Sequence, residues 1–168
     1  MLVKKLGLMV MLTVLAACGA QNTTTRAPSE DVSVRPLGSD EILSRIYELA
    51  PKKLSPQECG LFLWMKRSDT PLVYFQRASR ADLDARAEMV IDGMPKQLTR
   101  TARSNLIALS YYEQQQFTIG DITLELKMKA DRSESLRQGM KVPAATISLK
   151  DSKGWSAVLP VAGAIACQ

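Results

Sequence analysis

From Ile122 to Ala130 the chain alternates without a break: Ile122, Leu124, Leu126, Met128 and Ala130 are apolar, and Thr123, Glu125, Lys127 and Lys129 between them are polar or charged. A period of two puts the apolar set on one face of a β-strand. Such a strand needs a sheet with one buried and one wet face, which predicts antiparallel pairing. The same period recurs where Leu83, Ala85, Ala87, Met89 and Ile91 alternate with Asp84, Arg86, Glu88 and Asp92, stopped by Gly93. Cys59 to Arg67, Pro71 to Arg77, Ala144 to Lys150 and Trp155 to Val161 are further strand candidates. Asp151-Ser152-Lys153-Gly154, between the last two, fits a hairpin on a type I turn. Gln97 to Gln116 admits either a strand or a helical turn, and Arg132 to Lys141 reads as an exposed loop. One short helix is expected, with Ser39 as N-cap, Asp40 and Glu41 in its first turn, and Ile42, Ile46 and Leu49 on one face before Pro51.

The cysteines narrow the fold class. Cys59 opens the β-rich region and Cys167 stands one residue from the last. In an oxidising compartment such a pair is expected to be bridged, closing a loop for which chain-entropy arguments give about 4.7 kcal/mol. Stapled terminal strands predict a mainly β domain, a small antiparallel barrel or sandwich with one short N-terminal helix.

The third cysteine, Cys18, belongs to a different pattern. Lys4 and Lys5 precede the uncharged apolar run Leu6 to Leu15, and Leu15-Ala16-Ala17-Cys18 follows. Charge, then a short apolar stretch, then small residues is the plan of a secretory leader, too short for a membrane span of about 20 residues. With the cysteine in register, residues 1–19 resemble a bacterial lipoprotein signal with its lipobox. That resemblance implies cleavage before Cys18, acylation of Cys18, and a lipid bilayer as the partner of the acylated residue. Gly19 rather than Asp resembles cargo sorted to the outer membrane, on its periplasmic or its outer face. Residues 19–38 are rich in Thr, Ser, Asn, Pro and Gly with no apolar period, which predicts a flexible tether reaching roughly 25 Å. The expected organisation is a signal peptide over 1–17, a lipidated cysteine and tether over 18–38, and a β-rich domain over 39–168.

Composition removes several functions. The chain has no histidine, which excludes Ser-His and Cys-His nucleophiles and His-based zinc sites. Its formal +5 falls to about +3 when Lys4 and Lys5 leave with the leader, and the remaining charges mix in sign, so nucleic acid is not an expected partner. Asp82, Asp84 and Glu88 lack the glycine and the bidentate acid of a calcium loop. Ser148 and Lys150 would share a wet strand face, where the lysine stays protonated and cannot act as base. No metal, cofactor or catalytic residue is therefore assigned.

Binding fares better than catalysis. Arg100, Arg103, Tyr111, Tyr112 and Trp155 are of the types enriched in interface hot spots and form the candidate binding set. Phe62, Trp64, Tyr74 and Phe75 are assigned to the core. The layout of lipobox, tether, early cysteine, β-rich body and terminal cysteine is similar to that of the lipoprotein inhibitors of lysozyme, small disulfide-closed barrels, without their Ser-Gly and aromatic signature. The expected function is a membrane-anchored envelope lipoprotein whose non-catalytic domain acts on an envelope protein or cell-wall partner, as an inhibitor or accessory subunit. The alternative is a small glycan-acting enzyme that uses carboxylates alone.

Overall fold

A computed structural model describes residues 43–79, 86–132 and 139–168. Among the described residues nine strands follow one another: β1 (Ile46–Tyr47), β2 (Glu58–Met65), β3 (Leu72–Ser79), β4 (Arg86–Ile91), β5 (Met94–Ala108), β6 (Tyr111–Ile119), β7 (Ile122–Arg132), β8 (Met140–Asp151) and β9 (Ser156–Cys167). From β2 to β9 each strand pairs antiparallel with the next, and β9 returns to β2, so eight strands close into an up-and-down barrel. Closure leaves the barrel wall no open side, and eight strands enclose a space that side chains can fill.

The alternation decides what fills it. In β7, Ile122, Leu124, Leu126 and Met128 are buried while Thr123, Lys127 and Lys129 are exposed. Ala87, Met89 and Ile91 of β4 also turn inward; Leu83 and Ala85 lie outside the described residues. Residues 97–116 resolve as strand on both sides of a hairpin. Cys59 and Cys167 sit directly opposite each other in the β2–β9 ladder and are disulfide-bonded, with Cα atoms 4.0 Å apart. The seam that closes the barrel is therefore also covalent.

Two turn and seam residues show how sequence sets register. Gly154 takes φ 95° after Asp151, whose side chain accepts from the Lys153 and Trp155 amides at 2.9 and 2.8 Å, fixing the β8–β9 hairpin. Gly163 lies beside the bulge at Pro143 and Ala144, and a Cβ there would fall 1.8 Å from the Phe62 carbonyl oxygen. Only glycine permits that approach.

The expected helix is corrected in the part the structure describes. Residues 43–45 form a turn, Ile46–Tyr47 is strand, and residues 48–50 have no regular structure; Ser39 to Ile42 lie outside the described residues. Packing overrides the helical spacing. β3 pairs with β4 only as far as Glu88, and β1 takes over that edge at Val90 and Ile91. The Leu49 amide then donates to the Leu72 carbonyl at 2.7 Å, tying the segment to β3. Ile46 enters the interior, while Tyr47 and Leu49 join Leu54, Phe62, Trp64, Leu72, Phe75 and Val90 in a second apolar cluster. Of the four aromatics assigned to the core, only Tyr74 is therefore inside the barrel.

Candidate functional site

The strand directions sort the candidate residues between two ends. One end carries β1 and the β4–β5, β6–β7 and β8–β9 turns; the other carries the disulfide, Arg86, the β5–β6 hairpin and the ends of β7 and β8. Trp155 is at the first end, and Arg100, Arg103, Tyr111 and Tyr112 are at the second.

At the first end, Arg45 bridges two carboxylates. Its Nε and Nη2 donate to Asp92 at 2.8 and 2.9 Å, its Nη1 donates to Asp151 at 2.7 Å, and its guanidinium lies 4.6 Å from the centre of the Trp155 ring. Hydrogen bonds from Arg45 hold Asp92 below the usual carboxylate range. Burial opposes ionisation of Asp151, but Arg45 and the Trp155 and Lys153 amides outweigh it and lower that pKa too. Both acids stay ionised at neutral pH, so neither can serve as a general acid. Trp155 is thus part of a structural closure.

At the second end the inward face of the wall is polar. Tyr74, Gln76, Tyr111 and Gln115 are buried inside, joined by Ser110 from the hairpin turn and by Arg100. Gln76 Nε2 donates to Gln115 Oε1 at 3.0 Å, and Gln115 Nε2 donates back to Gln76 Oε1 at 3.1 Å. The Tyr74 hydroxyl donates to Gln76 Oε1 at 2.9 Å, and that of Tyr111 to the Gln76 carbonyl at 3.4 Å. Gln76 Nε2 also donates to the Ser110 carbonyl at 3.3 Å, and Gln115 Nε2 to that of Tyr112 at 3.5 Å. Arg100 donates to the Ser110 carbonyl at 2.9 Å, the Ser110 hydroxyl at 3.0 Å and Gln115 Oε1 at 3.3 Å. Each amide hydrogen and amide lone pair of the two glutamines is thereby used. Burial raises the pKa of Tyr74 and Tyr111, which keeps both phenols as donors. This network holds the hairpin turn in the barrel mouth, and its glutamines have no capacity left for a ligand.

Outside the network lies the rim. Arg100 and Arg103 both reach the ring of Tyr112, at 5.3 and 5.1 Å from its centre, and Leu106 lies directly across the ladder from Tyr112. Arg103 and Leu106 are exposed and Tyr112 half-buried, and an open groove of about 510 Å³ passes along residues 98–103 to Arg86. Of the five candidate binding residues, the structure brings Arg100, Arg103 and Tyr112 together, buries Tyr111 and puts Trp155 at the far end. Sequence reasoning missed Gln76, Ser110 and Gln115. Gln115 does keep step with Tyr111 and Phe117 at a period of two, and that was the available signal. Leu106 and Leu109 were seen only as part of an ambiguous segment.

Among the described residues no group of three or more His, Cys, Asp or Glu side chains is placed to hold a metal ion. Compared with protein-family models, curated proteins and solved structures, the chain matches none.

Proposed function

We propose that this chain is a lipid-anchored envelope protein whose barrel binds another envelope component through the Arg100–Arg103–Tyr112 rim, without catalysis. The observation that carries the reading is the rim itself: an aromatic ring flanked by two guanidiniums, outside a barrel whose two buried glutamines are satisfied by their neighbours. Arg beside a half-buried Tyr ring is a pairing of the residue types enriched in strong interface contacts. The disulfide fits an oxidising compartment, as does the lipobox expectation for Cys18. An apolar interior with Thr123, Lys127 and Lys129 on the outer wall is the reverse of a membrane-spanning barrel, so membrane attachment is assigned to acylated Cys18 and the domain to the aqueous side. Sorting to the outer membrane and a role as inhibitor or accessory subunit belong to the same proposal.

The carboxylate enzyme is the rival, and the Asp92–Arg45–Asp151 arrangement weighs against it because one guanidinium holds both acids ionised. Growth with an alkyne fatty acid tests the anchor, and incubation of purified protein with dye-labelled peptidoglycan tests the rival. The proposal expects label on the wild type, none on Cys18→Ser, and no dye release. Label on Cys18→Ser, or dye release lost in Asp151→Asn, would overturn it.

A further inference from the structure

The tip of the β5–β6 hairpin pairs an exposed apolar patch with backbone strain. Leu106 and Leu109 are 62% and 36% exposed, two of the four large apolar residues standing out among the described ones. Leu109 takes φ 51°, in the left-handed region where glycine or asparagine sits more easily. A leucine there works against its own backbone while leaving much of its side chain in water. The hairpin beneath it is nonetheless fixed: Ile107 packs against the core, Tyr111 is buried, and Gln76 and Arg100 hold the Ser110 carbonyl. The tip is therefore presented in one conformation, which lowers the ordering cost of binding.

Charge indicates what the tip meets. On the rim around it, among the described residues, Arg103, Lys129, Arg132 and Lys141 stand against Glu113 and Asp131, and the nearby Glu58–Arg77 pair is self-balanced. A second copy of this chain would bring like charges together. We propose that this hairpin tip docks onto an acidic surface of another envelope protein, with Leu106 and Leu109 entering an apolar pocket and Arg103 meeting carboxylates at its edge. The inference rests on the binding-module reading above and adds the partner's chemistry and the anchoring residues.

Photo-cross-linking in living cells tests it. A benzophenone amino acid is placed in the full chain at position 106, 109 or 158; Val158, also 62% exposed, lies outside the tip on β9. Cross-linked proteins are identified by mass spectrometry, purified, and titrated against the wild type, Leu106→Asp, Arg103→Glu and Val158→Asp. The inference expects one protein captured from 106 and 109 but not 158. Its Kd should rise at least about 30-fold with Leu106→Asp, about 10-fold with Arg103→Glu and less than about 2-fold with Val158→Asp. Binding should also weaken as salt rises from 0.1 to 0.5 M. Unchanged thermal melting of Leu106→Asp shows that it folds. Adducts to phospholipid, or to a second copy of the chain, would overturn the inference, as would a captured protein whose affinity ignores Leu106 and Arg103. Cross-links only from positions outside the tip would overturn it and leave the binding-module reading standing, whereas no cross-link from any position would count against both.

Discussion

At one end of the barrel ion pairs close the structure, and at the other two neutral amides do, with Arg100 bonded to the same turn. Arg45 spans Asp92 and Asp151 under the Trp155 ring, so that end is held by ion pairs whose strength follows pH and salt. Gln76 and Gln115 clasp each other beneath the Ser110 turn, and neither amide titrates. The contrast teaches where function can sit. Both cations of the Tyr112 cluster belong to the amide-closed end, and Arg103 there faces solvent, whereas the guanidinium of the charge-closed end is consumed by its own acids. One end spends its arginine on folding; the other spends Arg100 in the same way but also displays Arg103.

The largest expected effect concerns the seam at the amide-closed end. Replacing Cys59 and Cys167 together by Ser should lower unfolding free energy by about 2–5 kcal/mol in urea titrations, with the rim left intact once folded. Next, Gln76→Ala removes the acceptor of the Tyr74 hydroxyl, two hydrogen bonds of the Gln115 amide and one donor to the Ser110 carbonyl, a loss of about 2–3 kcal/mol. Removing both glutamines as Gln76→Leu with Gln115→Leu should cost less than the sum of the single changes, and a double-mutant cycle reads the difference. Strict additivity would mean that the clasp does not act as a unit.

At the charge-closed end, Trp155→Ala should cost about 2 kcal/mol by thermal melting, since a half-buried ring is lost from over Arg45. Trp155→Phe should be nearly neutral, because the buried indole N–H has no acceptor among the described residues. The pH dependence separates the ends further. Arg45 depresses the pKa of Asp92, so the contribution of that carboxylate is complete above the ordinary carboxylate range near pH 4 and fades as pH falls through the depressed value. The stability gap between wild type and Asp92→Asn, under about 1 kcal/mol for so exposed a pair, should therefore be present at pH 7 and close in acid. The gap between wild type and Gln76→Ala should not change over the same range. The smallest effect is a gain: Leu109→Asn should stabilise the fold by about 0.5 kcal/mol by easing the left-handed backbone, while weakening partner binding.

The barrel was legible in the sequence because strand alternation and paired terminal cysteines are local signals with one physical meaning. Ile122 to Met128 occupy the face their spacing predicts, and Cys59 meets Cys167. Over the described part, the helical spacing misled because a two-residue strand against β4 buries Ile46 and lets Leu49 follow, and only the β3–β4 divergence decides for it. Half of the candidate site was legible by residue type. Arginine and tyrosine are recognisable as interface types, and the tyrosine that turns inward is the one in step with Phe117, a signal hidden while Gln97 to Gln116 admitted two kinds of element. The Gln76–Gln115 clasp joins residues 39 positions apart, which no local pattern encodes.

The central claim is that both ends hold the fold together, while only the amide-closed end also displays a cation and an apolar tip for binding. It is tested most directly by measuring melting temperature and in-cell cross-linking yield together for Arg45→Ala, from the charge-closed end, and Arg103→Glu, from the rim. The account predicts that Arg45→Ala melts several degrees lower yet cross-links as well as wild type per folded molecule, and that Arg103→Glu melts normally but loses its cross-link. The reverse pattern, or both variants losing stability and cross-linking in proportion, would contradict it.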